Sequence, residues 1–199
     1  GDPYTLTKDS AFSSGVPTIG GGSVDSWSVS PTLPNGLSLD PTTGEISGTP
    51  TDITASAVYT VTATNTGGSD SIDVTIVVND VAPSSISYNP HTFVETIDVA
   101  MTLASPIFTG TGGTITSWEV EPALPTGISL DASNGEISGT PTLLSTQTTY
   151  TIYANNTGGS STTTIDFTVI DEAPFALFYS GSPYTYTKGI AITDVTPTS

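Results

Sequence analysis

The sequence predicts an all-β chain of tandem β-sandwiches without disulfides. Three observations carry this. The stretch Trp27–Thr51 returns as Trp118–Thr142, with 17 of 25 aligned positions identical and a constant offset of 91 residues. A period that long is a whole domain rather than a solenoid unit. Short apolar runs alternate with polar residues between Gly, Pro, Asn and Asp clusters, and no helical period appears. There is no cysteine among the 199 residues.

Each element follows from local chemistry. The opening motif, Gly1-Asp2-Pro3-Tyr4-Thr5-Leu6-Thr7-Lys8, is matched near the C-terminus by Gly181–Lys188. A looser copy, Asn89–Glu95, sets Tyr4 against His91. Ala11-Phe12 and Met101-Thr102-Leu103 are expected to begin the next strand. Val24 and Ile115 fall three residues before Trp27 and Trp118, which breaks strict alternation and predicts a bulge. Trp27 and Val29 share a strand face, and Pro31 and Pro34 end that ladder because proline donates no hydrogen bond. Leu37-Ser38-Leu39 alternates as a half-buried strand. Asp40-Pro41-Thr42-Thr43-Gly44 is a turn in which Asp binds the backbone two residues on and Gly closes the loop; Asp131–Gly135 repeats it. Ile46 and Ile137 return on a second short strand. Tyr59, Val61 and Ala63 point inward on one strand, as do Tyr150, Ile152 and Ala154. The turns Asn65-Thr66-Gly67-Gly68 and Asn156-Thr157-Gly158-Gly159 form hairpins. The last strands set Ile72, Val74, Ile76 and Val78 on one face, and Ile165, Phe167 and Val169 on its counterpart.

The pattern W-x-V-x-P-x-L-P-x-G-[LI]-S-L-D-x-x-x-G-E-I-S-G-T-P-T resembles the immunoglobulin-like, cadherin-like tandem repeat of bacterial and archaeal surface proteins. The resemblance implies immunoglobulin-like Greek-key sandwiches, in which a buried Trp and a Tyr near the start of the penultimate strand mark the core. Trp27 and Trp118, with Tyr59 and Tyr150, suit those parts. The expected division is 1–82 for a first domain lacking its first strand, 83–173 for a second, and 174–199 for the opening strands of a third. The linkers Asn79–Pro83 and Asp171–Pro174 are short and proline-stiffened, which predicts a rod. Phe175–Tyr179 is a spare apolar strand, and the first domain has an unpaired edge. The chain is expected to be a fragment of something longer. It is either a plain slice of a long array or a two-domain unit whose tail packs on the next unit.

Composition narrows function. Nineteen acidic residues stand against two basic ones, Lys8 and Lys188, with no arginine. Nucleic-acid binding, which needs cations against phosphate, is not expected on that ground. No run approaches the length of a membrane helix, and the opening residues do not read as a signal peptide. Ser and Thr supply 64 residues, suited to the solvent faces of sheets or to O-glycosylation. Asn155-Asn156-Thr157 is an N-glycosylation sequon, with Asn155 the acceptor.

The pairs Asp40/Glu45 and Asp131/Glu136 each sit on one tight hairpin without a cleft, so turn stabilisation outweighs glycosidase-type catalysis. No nucleophile elbow, phosphate loop or metal-spaced His is present, and no enzyme is expected. Asp80, Asp171 and Glu172 are candidate calcium ligands at the joints, calcium being the one candidate cofactor. The expected role is a structural, extracellular segment of a cell-surface adhesin, stalk or filament, partnered by copies of itself or by neighbouring repeats. The alternative is a glycan- or protein-binding module acting through the loops. Tyr153, Phe178 and Tyr186 are the rings expected to be exposed.

Overall fold

The computed structural model describes residues 3–175, 177 and 184–191. Among them there are fifteen strands and no helix. The expected strand 175–179, including the ring of Phe178, falls largely outside the described residues.

The first repeat contains β1 (Tyr4–Thr7), β2 (Phe12–Ser13), β3 (Ser26–Ser30), β4 (Leu37–Leu39), β5 (Ile46–Gly48), β6 (Thr54–Asn65) and β7 (Gly68–Asn79). One sheet runs β1-β7-β6-β3, and the facing sheet runs β2-β5-β4. β1 joins β7 in parallel, whereas the β6–β7 hairpin is antiparallel. The second repeat contains β8 (Ile86–Ser87), β9 (Thr92–Thr96), β10 (Ile107–Phe108), β11 (Ser117–Glu121), β12 (Ile128–Leu130), β13 (Ile137–Gly139), β14 (Ser145–Asn156) and β15 (Gly159–Ile170). Its main sheet, β11-β14-β15-β9, repeats the first. The fold is tandem immunoglobulin-like β-sandwich, and packing alone holds the sheets together.

Alternation fills the space between the sheets. Leu6, Ile46, Tyr59, Val61, Ile76 and Val78 are buried in the first repeat. Ile137, Tyr150, Ile152, Phe167 and Val169 take the places of Ile46, Tyr59, Val61, Ile76 and Val78 in the second, joined by Ile86, Tyr88, Phe93, Trp118 and Ile165.

Four local expectations need correction. Met101-Thr102-Leu103 forms no strand; Met101 N–H donates to Gly139 at 3.0 Å, and pairing resumes at Ala104 with Ile137. Val24 and Ile115 lie outside the ladders, and the register irregularities fall instead at Thr54/Ala57 and Ser145/Thr148. Ile72 is 66% exposed although it shares the face of the buried Ile76 and Val78, because it stands beyond the covered part of the sandwich. Finally, β-sheet register sets Tyr4 opposite Ile76 and Phe93 opposite Phe167. Ile76 and Phe167 correspond, so Tyr4 matches Phe93 and not His91. The proline that anchored the sequence match lies outside the ladder, where it fixes no register.

Candidate functional site

The hairpin carboxylates are occupied by their own turns. Asp40 accepts from the amides of Thr42 (2.7 Å) and Thr43 (3.1 Å). Asp131 accepts from the hydroxyl and amide of Ser133, at 2.6 and 2.8 Å. The Thr42 amide in one copy, and the Ser133 hydroxyl in the other, hold these acids below the ordinary aspartate value. Glu45 accepts from Ser13, and Glu136 from Ser105 and Asn134. Both pairs are thus bonded into exposed turns, with no cleft between the carboxylates.

The joint between the repeats is a built structure. Asp80 is 8% exposed, and its carboxylate accepts from the amides of Val81 (2.8 Å) and Thr114 (3.2 Å). Its own amide donates to the Thr157 hydroxyl at 2.9 Å. The Val81 carbonyl accepts from the Asn156 side chain (2.7 Å) and the Gly113 amide (3.0 Å). Gly113 and Gly158 make room for this. A Cβ on Gly113 would come within 2.3 Å of the Asp80 carboxyl, and one on Gly158 within 2.0 Å of the Asp80 carbonyl oxygen. The linker therefore lies in a slot cut by two glycines and held by one hairpin turn.

Asp171 and Glu172 are exposed, and the Asp171 carboxylate accepts from the Glu172 amide at 2.9 Å. Asp80 and these two acids are not brought together, and among the described residues no group of three metal-ligating side chains gathers. Asn155 is half-buried beside the joint and accepts from the Ser160 hydroxyl, while Thr157 of the same sequon is bonded to the linker. Tyr186 is 57% exposed, and Tyr153 is half-buried beside Glu119 and Glu121. Tyr59, Tyr150 and Trp118 are buried, whereas Trp27 is only half-buried.

The unpaired edge expected for the first repeat bears on that last difference. A groove of about 750 Å³ opens on the first repeat, lined by Trp27, Gly44, Val16, Ile19, Asn65 and Ile72 among others. In the second repeat the same region is covered by β8. Ile86 pairs with Phe108, and Tyr88 donates its hydroxyl to the Gly135 carbonyl at 2.5 Å. Gly135 lies flat on the Trp118 ring, where a Cβ would come within 2.6 Å; Gly44 lies on Trp27 in the same way. The signal in the sequence was Ile86-Ser87-Tyr88 itself, which has no counterpart among residues 1–79.

Known proteins match this architecture. "Serine-rich adhesin for platelets" from Staphylococcus aureus is 30% identical over 137 residues, which is 69% of this chain and 6% of that protein. In strain MRSA252 the same identity covers 10% of the relative. The chain therefore spans a small part of these relatives. Among solved structures, the four N-terminal Ig domains of Dscam1 isoform 6.44 align at 13% identity and TM-score 0.46, over 84% of this chain and 43% of that one. The eight N-terminal Ig domains of DSCAM isoform 1.30.30 align at 13% and 0.45, over 89% and 26%. One family model matches twice, over residues 1–79 and 82–170, and this chain belongs to that family, described as "Putative Ig domain".

Proposed function

We propose that the chain is a structural, non-enzymatic, extracellular segment of a cell-surface adhesin, stalk or filament, and that its copies associate end to end through the tail 174–199. The observation that carries this reading is the joint. A linker seated in a glycine-cut slot by Asp80, Asn156 and Thr157 holds consecutive repeats as a stiff series, which suits a spacer that projects a surface. The acidic surface and the adhesin relative support it.

Electron microscopy of native material tests the reading. Beaded threads are expected, and light scattering of a chain lacking 174–199 is expected to show monomers. Separate short rods, or unchanged assembly without the tail, would overturn end-to-end association. Calcium at Asp80, Asp171 and Glu172 is tested on the same material: a melting temperature that rises in millimolar calcium and falls back with chelator marks a site. An unchanged melting temperature leaves the acids to the joints and the surface.

A second reading, ligand binding through the loops, is favoured by the name of the staphylococcal relative, an adhesin for platelets. Glycan-array and platelet-binding assays of the chain separate it from a purely structural role.

A further inference from the structure

We propose that the pocket beside the joint on the second repeat is a binding subsite for a neutral pyranose unit of a glycan. This rests on the second reading above, ligand binding through the loops, and gives that reading a site and a ligand class.

A cavity of about 420 Å³ opens where the linker meets the second repeat. That is within the range of small-molecule sites, about 300–1,000 Å³. Its lining falls entirely between Pro83 and Asn134. Linker, loop and turn are all in place around it: Ser84 on one side, the loop after β10 on another, Ser133 and Asn134 on a third, and Trp118 beneath. Glycines let the loop lie on the linker. A Cβ on Gly110 would come within 2.2 Å of the Ser84 carbonyl oxygen, and one on Gly112 within 2.3 Å of the Ala82 carbonyl oxygen. The pocket therefore exists only while the joint is seated. The ring at its rim is held in place. Phe108 pairs through its backbone with Ile86, and its ring leans on Trp118 at 5.8 Å between centroids and 60° between planes. Phe108 is nonetheless 55% exposed. A fixed, exposed ring beside hydroxyl groups is a surface on which the C–H face of a pyranose packs. The first repeat has Pro17 at the matching position, and Ile19 at that of Gly110.

The polar groups decide the ligand class. The Ser133 hydroxyl gives its proton to Asp131 at 2.6 Å, so only its lone pairs remain for a ligand. Asn134 donates one amide hydrogen to Glu136 at 3.0 Å and accepts from the Glu136 amide at 2.9 Å, which leaves it a second hydrogen to give. Ser84 and Thr114 are exposed, and each hydroxyl both donates and accepts. A rim that offers donors and acceptors side by side matches sugar hydroxyls, which are both. An anion fits badly, because the carboxylates of Asp80, Asp131 and Glu136 stand behind the lining and the chain has only two basic side chains. A metal cation fits no better, because the Asp80 oxygens already take the Val81 and Thr114 amides.

The test uses the full chain on an array of neutral and sialylated glycans, followed by saturation-transfer NMR with methyl glucoside, galactoside and mannoside and with sialic acid. Binding to at least one neutral glycan is expected, with transfer from its methyl pyranoside and none from sialic acid. Phe108→Ala should weaken that binding about tenfold or more, and Phe108→Tyr should restore it. Thr114→Val removes a hydroxyl at an exposed site and keeps the backbone amide that Asp80 accepts. It should weaken binding with the melting temperature unchanged, which reads the pocket even if Phe108→Ala folds poorly. Tyr153→Ala, on the sheet face, should bind as the unaltered chain does. Neutral-glycan binding that ignores Phe108→Ala and Thr114→Val would overturn this pocket and leave loop binding standing. A preference for sialylated glycans would overturn the ligand class. No binding to any glycan would overturn the subsite, while platelet binding by the same chain would keep the second reading as protein recognition.

Discussion

The two repeats share a sequence framework and differ in how well it is covered. Trp118 is 3% exposed and Trp27 is half-buried; Ala154 and Ile165 are sealed, while Ala63 and Val74 are half-open. Nothing in the Trp stretch accounts for this, because 17 of its 25 positions are the same. The difference comes from β8 and the linker, which seal the second repeat from the side of the first. A module of this kind is finished by the segment that precedes it, so the interior of each unit is partly supplied by its neighbour.

The largest expected effect is to make the second repeat resemble the first. Tyr88→Ala removes a buried ring and leaves the Gly135 carbonyl without its donor, at a cost of about 3–5 kcal/mol. Calorimetry should show one transition moving down while the other stays, and Trp118 emission should move to the red. If both transitions are unmoved, β8 contributes nothing to the core and the comparison fails. Next in size, Trp118→Ala should cost about 3–5 kcal/mol. Trp27→Ala should cost less, since part of its ring already meets water. Equal losses would mean that the groove does not weaken the first repeat.

The joint comes third. Asp80→Ala takes the acceptor from the part-buried amide bonds of Val81 and Thr114, which costs about 1 kcal/mol. The same change should broaden the distribution of inter-repeat distances measured by small-angle scattering. Asp171→Ala, at an exposed position, should leave the stability of the isolated chain unchanged. A matching loss at Asp171 would show that the tail is already held within its own chain.

Fold and site differed in how much of them could be read from sequence. The paired Trp stretches, the alternation of Tyr59, Val61 and Ala63, and the Asp-to-Gly turns encode local geometry, and local geometry is what periodicity reports. Asp80 was visible as a linker acid, but its use was not. Whether a carboxylate meets a cation or two amides depends on Thr114 and Val81 folding around it, and Thr114 is 34 residues away. The uncovered edge of the first repeat was visible as the strand missing from residues 1–82, but the use of Gly113 and Gly158 was not, because they read as turn residues until the fold sets them against Asp80. The pairing of Tyr4 with His91 went astray because a proline outside the ladder carried the alignment.

The smallest effect refines the comparison through one substitution in which the second repeat is the worse built. Glu95 pairs with Val169 where Leu6 pairs with Val78, so a carboxylate occupies the place of a buried leucine. Burial raises its pKa above the ordinary glutamate value of 4.5. A raised carboxyl favours the folded state while it is protonated, and that contribution is lost as pH rises through the folded pKa. Glu95→Leu should therefore stabilise the second repeat by about 1 kcal/mol at neutral pH. The gain should shrink as the solution is acidified towards the ordinary glutamate range. Asp40 and Asp131 act in the opposite sense, because their lowered values give stability that is present above the ordinary aspartate range and lost as pH falls through the folded values. They occupy the same turn in both repeats, so their contribution falls on both transitions together. The separation between the two transitions as a function of pH thus isolates Glu95. A separation that does not change between acid and neutral pH would mean that the second repeat carries its glutamate in water, and that the coverage supplied by β8 does not extend to β9.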